Sequence, residues 1–300
     1  MRVPVNISGF SRAPRIIGLL AVAGMVAAGC STIKLAYNQA PDLGYFYLDN
    51  YLDFNSAQST QVKDELVKLQ AWHRQSQLPA YIDVLQKLKA EAPADISATR
   101  ACAVYTDARR KLVTITERAE PAMASLAETL DKDQLATMQK RFDKGNAEFR
   151  DNYMDTPKAS RKKRMKQAVE RAEKLYGKLD EKQLAVIGQS IDQSRFDARV
   201  VYAERLRRQR DALQNLQTVV MAKASGTQSP DKTRAMVRAV VERTINSPDA
   251  AYRDYSEKFT QEGCRTFAEL HASTSAEQRS TAVKTLARYE EDFRTLMARN

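Results

Sequence analysis

Residues 130–153 read LDKDQLATMQKRFDKGNAEFRDNY, and two patterns overlap in them. Asp131 stands three residues before Gln134, the spacing at which a capping oxygen meets a side chain that reaches back to the free N–H of a helix start. Behind it Leu135, Met138, Phe142, Gly145, Phe149 and Tyr153 advance by threes and fours, which makes one face of an amphipathic helix. The same stepping recurs in Val62, Leu66, Leu69 and His73, in Tyr202, Leu206, Gln209, Leu213, Leu216 and Val220, and in Ala282, Leu286, Tyr289, Phe293 and Leu296. Asp180 with Gln183 and Ser275 with Gln278 repeat the cap. Thr156-Pro157, Ser229-Pro230 and Ser247-Pro248 offer the other start signal, a proline at the first helical position, where its missing N–H costs nothing. An all-α fold of about nine or ten amphipathic helices is therefore predicted, as a multi-helix bundle or a solenoid-like array. Starts at 131, 180, 229 and 275 lie 49, 49 and 46 residues apart, a hint of a repeated helix pair.

Composition agrees. The 300 residues are 43% hydrophobic and 28% charged, enough to bury a core, so disorder is excluded as the main state. Of 10 glycines and 9 prolines, six fall in the first 29 residues, and the rest of the chain is too poor in both for the many turns of an all-β fold. Two histidines, three cysteines and no glycine-rich loop exclude a His-rich metal enzyme, a disulfide-dense mini-domain and a P-loop or Rossmann nucleotide binder. The sequence calls for no cofactor.

The N-terminus carries Arg2, Arg12 and Arg15, then an apolar run from Ile16 to Ala28, the pattern of an export signal too short to span a bilayer. Ala27-Ala28-Gly29-Cys30 resembles a bacterial lipobox, with Ala27 where leucine is commonest. The resemblance implies cleavage before Cys30 and acylation of its thiol; the plainer alternative is an ordinary secretory signal. Ser31, where an aspartate tends to retain bacterial lipoproteins in the inner membrane, implies the outer membrane. The chain thus divides into a signal at 1–29, a lipidated aromatic-rich segment at 30–55 and a helical domain at 56–300. In the second part Tyr37, Tyr45, Phe46, Tyr47, Tyr51 and Phe54 suit a membrane interface or a core equally well.

Loss of a leader with three arginines takes the net charge from +11 to +8. The excess is local, in the run from Lys158 to Lys174. Export argues against nucleic acid as its partner, which leaves a solvated helix face or contact with anionic lipid head groups through Arg161, Lys162, Lys163, Arg164 and Lys166. Candidate catalytic residues are few. His73 lies on an apolar stripe and reads as a packed side chain. His271 sits near a helix end, where the dipole favours an imidazolium. Asp49 and Asp53 can share a helix face, but a calcium site needs six to eight oxygens. Cys102 and Cys264, both in predicted helices, are expected to form a disulfide in an oxidising compartment; the alternative is two separate buried thiols.

Several stretches carry a family likeness: Cys30 through Asn38, Tyr47 through Phe54, Trp72-His73-Arg74 with Gln77-Leu78-Pro79, Glu148-Phe149-Arg150, Tyr176 through Asp180, and Ala203 through Gln209. On these the chain resembles an uncharacterised family of proteobacterial lipoproteins, a likeness that implies a lipid anchor and brings no activity or substrate with it. Leu130-Asp131-Lys132-Asp133-Gln134 and Leu179-Asp180-Glu181-Lys182-Gln183 are also similar to the Leu-Thr-x-x-Gln motifs of periplasmic stress chaperones, although helix capping alone predicts the same spelling. The expected function is that of a non-catalytic helical scaffold, held by its lipid on the periplasmic face of the outer membrane and binding an envelope protein or polymer. A chaperone-like holdase is the alternative, and an envelope enzyme comes third.

Overall fold

The computed structural model describes residues 32–298, so Cys30 and the export signal lie outside the described residues. These residues form twelve α-helices, two more than the upper expectation. The two additions are α1 (Thr32–Asn38) and α2 (Ala40–Leu52), both in the stretch read only as aromatic-rich. The ten that follow are α3 (Ser56–Ser76), α4 (Leu78–Glu91), α5 (Ala98–Thr129), α6 (Lys132–Tyr153), α7 (Pro157–Tyr176), α8 (Glu181–Asp192), α9 (Ala198–Ala224), α10 (Pro230–Ile245), α11 (Ala250–Ala272) and α12 (Ala276–Ala298). Helix α1 belongs to a unit ending at Gln39, whose N–H closes its last turn on the Leu35 carbonyl at 3.1 Å. Helices α2 to α12 belong to the second unit, which begins at Ala40.

Helix starts follow the side-chain chemistry. Asp131 and Asp180 accept the N3 backbone N–H of α6 and α8, and Gln134 and Gln183 accept the N–H of Asp131 and Asp180 in return. Ser275 and Gln278 do the same at α12, and Asn55 with Gln58 adds an unforeseen fourth box at α3. These boxes meet in pairs. The Gln58 amide donates to the Gln134 oxygen at 3.1 Å and Gln134 donates back at 2.7 Å. Gln183 and Gln278 exchange the same two bonds at 2.6 and 2.8 Å. The second N–H of each amide reaches the chain two residues before the partner's cap: the Asp53 carbonyl from Gln134, the Thr129 hydroxyl from Gln58, the Ser273 carbonyl from Gln183 and the Lys178 carbonyl from Gln278. All four hydrogen-bonding positions of all four amides are thereby used, which is what allows Gln58 and Gln183 to be 2% and 1% exposed.

A core gathers at each pair. Leu52, Leu130, Leu135 and Leu213 pack with Tyr51, Phe54 and Phe142 beside the first. Ala172, Tyr176, Leu179, Ile187, Leu270 and Ala282 pack beside the second. Long-range packing of α12 on α4, and of α10 and α11 on α5, makes this a bundle rather than a solenoid whose repeats touch only their neighbours. Two expected starts differ. Ser229 precedes α10 with Pro230 at its first position but makes no side-chain cap. Ser247-Pro248 does not begin a helix: α11 starts after Asp249, because the Ser247 hydroxyl donates instead to the buried Glu204 carboxylate at 3.1 Å.

Cys102 near the start of α5 and Cys264 in α11 are joined by a disulfide, with Cα atoms 5.4 Å apart and 162 residues between them in sequence. Closing a loop of that length removes denatured-state entropy worth about 5 kcal/mol in the chain-entropy model. Replacing both cysteines by alanine is expected to lower the unfolding free energy by roughly 4 to 5 kcal/mol in urea titrations. An unchanged midpoint with an unchanged slope contradicts this.

Candidate functional site

One face of α7 presents Arg164, Gln167, Ala168, Arg171, Ala172 and Leu175 at helical spacing, and all six line a single cavity of about 1180 Å³. Ile187 and Ile191 of α8, Phe267 and Leu270 of α11, Val104 of α5 and Leu286 of α12 contribute to the apolar wall. Small-molecule sites usually occupy about 300 to 1,000 Å³, so this space is a large one. Cys264 lies on its wall, so the disulfide ties α5 and α11 together beside it.

Polar groups in the wall are mostly turned on one another. His271 is 1% exposed. Its Nε2–H donates to the Ala94 carbonyl at 2.8 Å, and in the neutral ring Nδ1 accepts from the Tyr176 hydroxyl at 2.8 Å. Burial pushes Tyr176 up to about 12, which keeps it a hydroxyl donor. His271 stands in the last turn of α11, as expected, and in addition two partners hold its ring between α7 and the turn after α4. Ser190 and Thr266 bond each other through their hydroxyls. Glu262 accepts the Arg195 N–H at 2.9 Å.

Arg164 is different. Its guanidinium lies over the Phe196 ring at 4.6 Å and donates to the Ile191 carbonyl at 3.4 Å, without an ion pair among the described residues. Burial pushes its pKa down, against the pull of Glu262, Tyr255 and Asp192. The basic run thus divides. Arg161 forks onto Asp192 at 2.6 and 2.8 Å, Lys166 approaches Glu170 at 3.8 Å, Lys162 is exposed, Lys163 is half-buried and Arg164 faces the cavity.

The other candidates are structural in their contacts. Asp49 accepts the Phe54 N–H at 3.0 Å where α2 ends, and Asp53 takes the left-handed φ of 50° that turns the chain there. No group of three or more metal-ligating side chains occurs among the described residues. Glu204, within the Ala203–Gln209 stretch, is 4% exposed. Burial pushes its carboxyl up, and hydrogen bonds from Arg207 and Arg208 outweigh this and hold it below the usual range. Arg207 also donates to the Arg243 carbonyl at 2.8 Å, so the network ties α9 to α10. The sequence carries no local signal of the cavity or of the Tyr176–His271 pair, whose members stand 95 residues apart.

His73 is half-buried beside Tyr81, ring centroids 5.4 Å apart, and burial lowers its pKa from the ordinary 6.5. The unfolded chain then takes up the proton first, so stability is full above pH 6.5 and is lost as pH falls through the lower folded value. His73→Gln is expected to cost about 1 kcal/mol at neutral pH and to flatten that acid-side loss in thermal unfolding. A pH profile identical to that of the wild type contradicts the assignment.

No curated protein and no solved structure matches the chain. No helix of the described residues is long and apolar enough to cross a membrane. Residues 50–237 match the family model of DUF6279, a family of unknown function. That span takes in the Gln58–Gln134 pair, the α7 and α8 walls and Glu204 with Arg207 and Arg208, and ends before Arg243, Ser247, Cys264 and His271. Since the match covers more than half of the chain, the protein belongs to the DUF6279 family.

Proposed function

We propose that this protein is a non-catalytic, lipid-anchored binding protein on the periplasmic face of the outer membrane, whose helical bundle receives an apolar guest. The observation that carries the reading is the cavity of about 1180 Å³ with its apolar walls. Each methylene buried there contributes about 0.8 kcal/mol, so a long chain or an apolar side-chain cluster is the guest such a space favours. The polar atoms deepest in it, on Tyr176 and His271, bond each other and Ala94, which suits a wall more than a reacting centre. The anchor rests on Ala27-Ala28-Gly29-Cys30 and the outer-membrane address on Ser31. No nucleic-acid partner is invoked.

A chaperone-like holdase is the second reading. It is favoured by Tyr105 and Phe259, which line the cavity and remain 50% and 37% exposed, as side chains offered to an unfolded segment are.

The test is binding of a small apolar dye, N-phenyl-1-naphthylamine, to the purified full chain. Saturable binding at one site is expected, weakened at least tenfold by Gly263→Phe. A Cβ at Gly263 meets nothing within 4 Å, so the new ring can enter the cavity without a clash at its root. No saturable binding, or binding indifferent to Gly263→Phe, contradicts the reading. Suppression of aggregation of an unfolded substrate without dye binding favours the holdase.

A further inference from the structure

The cavity wall is not uniformly apolar: along the α7 face Arg164, Gln167 and Arg171 alternate with Ala168, Ala172 and Leu175, so charged and apolar groups share one helix face. Arg164 and Arg171 are seven residues apart, two turns and roughly 10 Å along the axis, and so stand on the same side. Neither makes an ion pair among the described residues. Arg164 spends one of its five N–H donors on a long bond to the Ile191 carbonyl. The one carboxylate in the lining, Glu262, is engaged by the Arg195 backbone, which leaves two guanidinium groups against one carboxylate. A methylene fills about as much space as a liquid water molecule, roughly 30 Å³, so one long acyl chain takes less than half of the cavity and two chains fit.

We infer that the guest is an anionic amphiphile: one or two acyl chains lie along Leu175, Ile187, Leu270 and Leu286, and a carboxylate or phosphate head is held by Arg164 and Arg171. The inference rests on the proposed apolar-guest function and adds the charge of the guest. A guanidinium fork matches either head group, and its half-burial beside Phe196 strengthens the attraction relative to a solvated lysine.

The experiment displaces the bound naphthylamine dye from the full chain with laurate, dodecyl phosphate, dodecanol and dodecylammonium, with inorganic phosphate as a chainless control. Laurate or dodecyl phosphate is expected to displace the dye at a concentration at least tenfold below that of dodecanol, with dodecylammonium weakest and inorganic phosphate without effect; which of the two anions leads identifies the head group. In Arg164→Gln with Arg171→Gln, laurate, dodecyl phosphate and dodecanol are expected to act alike, the unfolding midpoint reporting that the bundle still forms. Arg171→Gln alone, at an exposed side chain, is expected to give part of the loss without risk to the fold. Equal displacement by dodecanol and laurate in the wild type overturns the anionic guest while leaving the apolar cavity intact. Dye binding that no amphiphile reverses overturns it in favour of a polypeptide guest, and failure of the dye to bind at all overturns the apolar-guest function as well.

Discussion

A helix start leaves backbone N–H groups without partners inside the helix, and here four such starts are brought face to face in pairs. Two starts meeting in a protein interior have no water to satisfy them, so side chains must. Gln58 with Gln134, and Gln183 with Gln278, solve this reciprocally: each oxygen accepts from its own cap residue and from the opposite amide, and each amide nitrogen donates to the opposite oxygen and to the strand of chain leading into the opposite helix. The geometry admits one register. A one-residue slip in either helix strands buried donors and acceptors, each at a cost of about 1 to 3 kcal/mol. The two pairs thereby set where α3, α6, α8 and α12 begin, and the apolar clusters fill in beside them.

The cavity follows from the second pair. With the starts of α8 and α12 locked together and His271 holding α11 against Tyr176 and Ala94, α7 is packed at Ala172 and Tyr176, and Leu179 in the turn after it joins the same core. The same α7 face carries Arg164, Gln167 and Arg171, which line the cavity. The disulfide holds α5 and α11 at that side, and the Arg161 fork to Asp192 holds α8. Rigid ends and an unfilled middle are what a preorganised site needs, because a cavity that collapsed in the free protein would have to be reopened by the guest.

Much of this was legible locally. The helical period and the caps at 131, 156, 180 and 275 depend on neighbours within four residues, and they are where the spelling put them. Asn55 and Gln58 carried the same signal and went unread among the aromatics of 45–54, some of which, Tyr51 and Phe54, pack into a core while Phe46 and Tyr47 stay exposed. What pairs with what was not legible, since the partners lie 76 and 95 residues apart and the even spacing at 49 pointed elsewhere. Ser247 looked like a cap and was diverted by a carboxylate 43 residues away. The cavity left no local trace in the sequence because its lining comes from helices far apart in the chain, from Leu88 of α4 to Leu286 of α12.

The central claim is that facing capping boxes, each satisfied by the other, organise the bundle. A double-mutant cycle on the buried pair Gln58 and Gln134 tests it most directly, with leucine at each position and unfolding free energies from urea titration. Each single change leaves one amide buried without its partner, whereas the double change removes both. The account predicts a coupling energy of at least about 1 kcal/mol, the double variant losing clearly less than the sum of the singles. Losses that add within about 0.5 kcal/mol would contradict it.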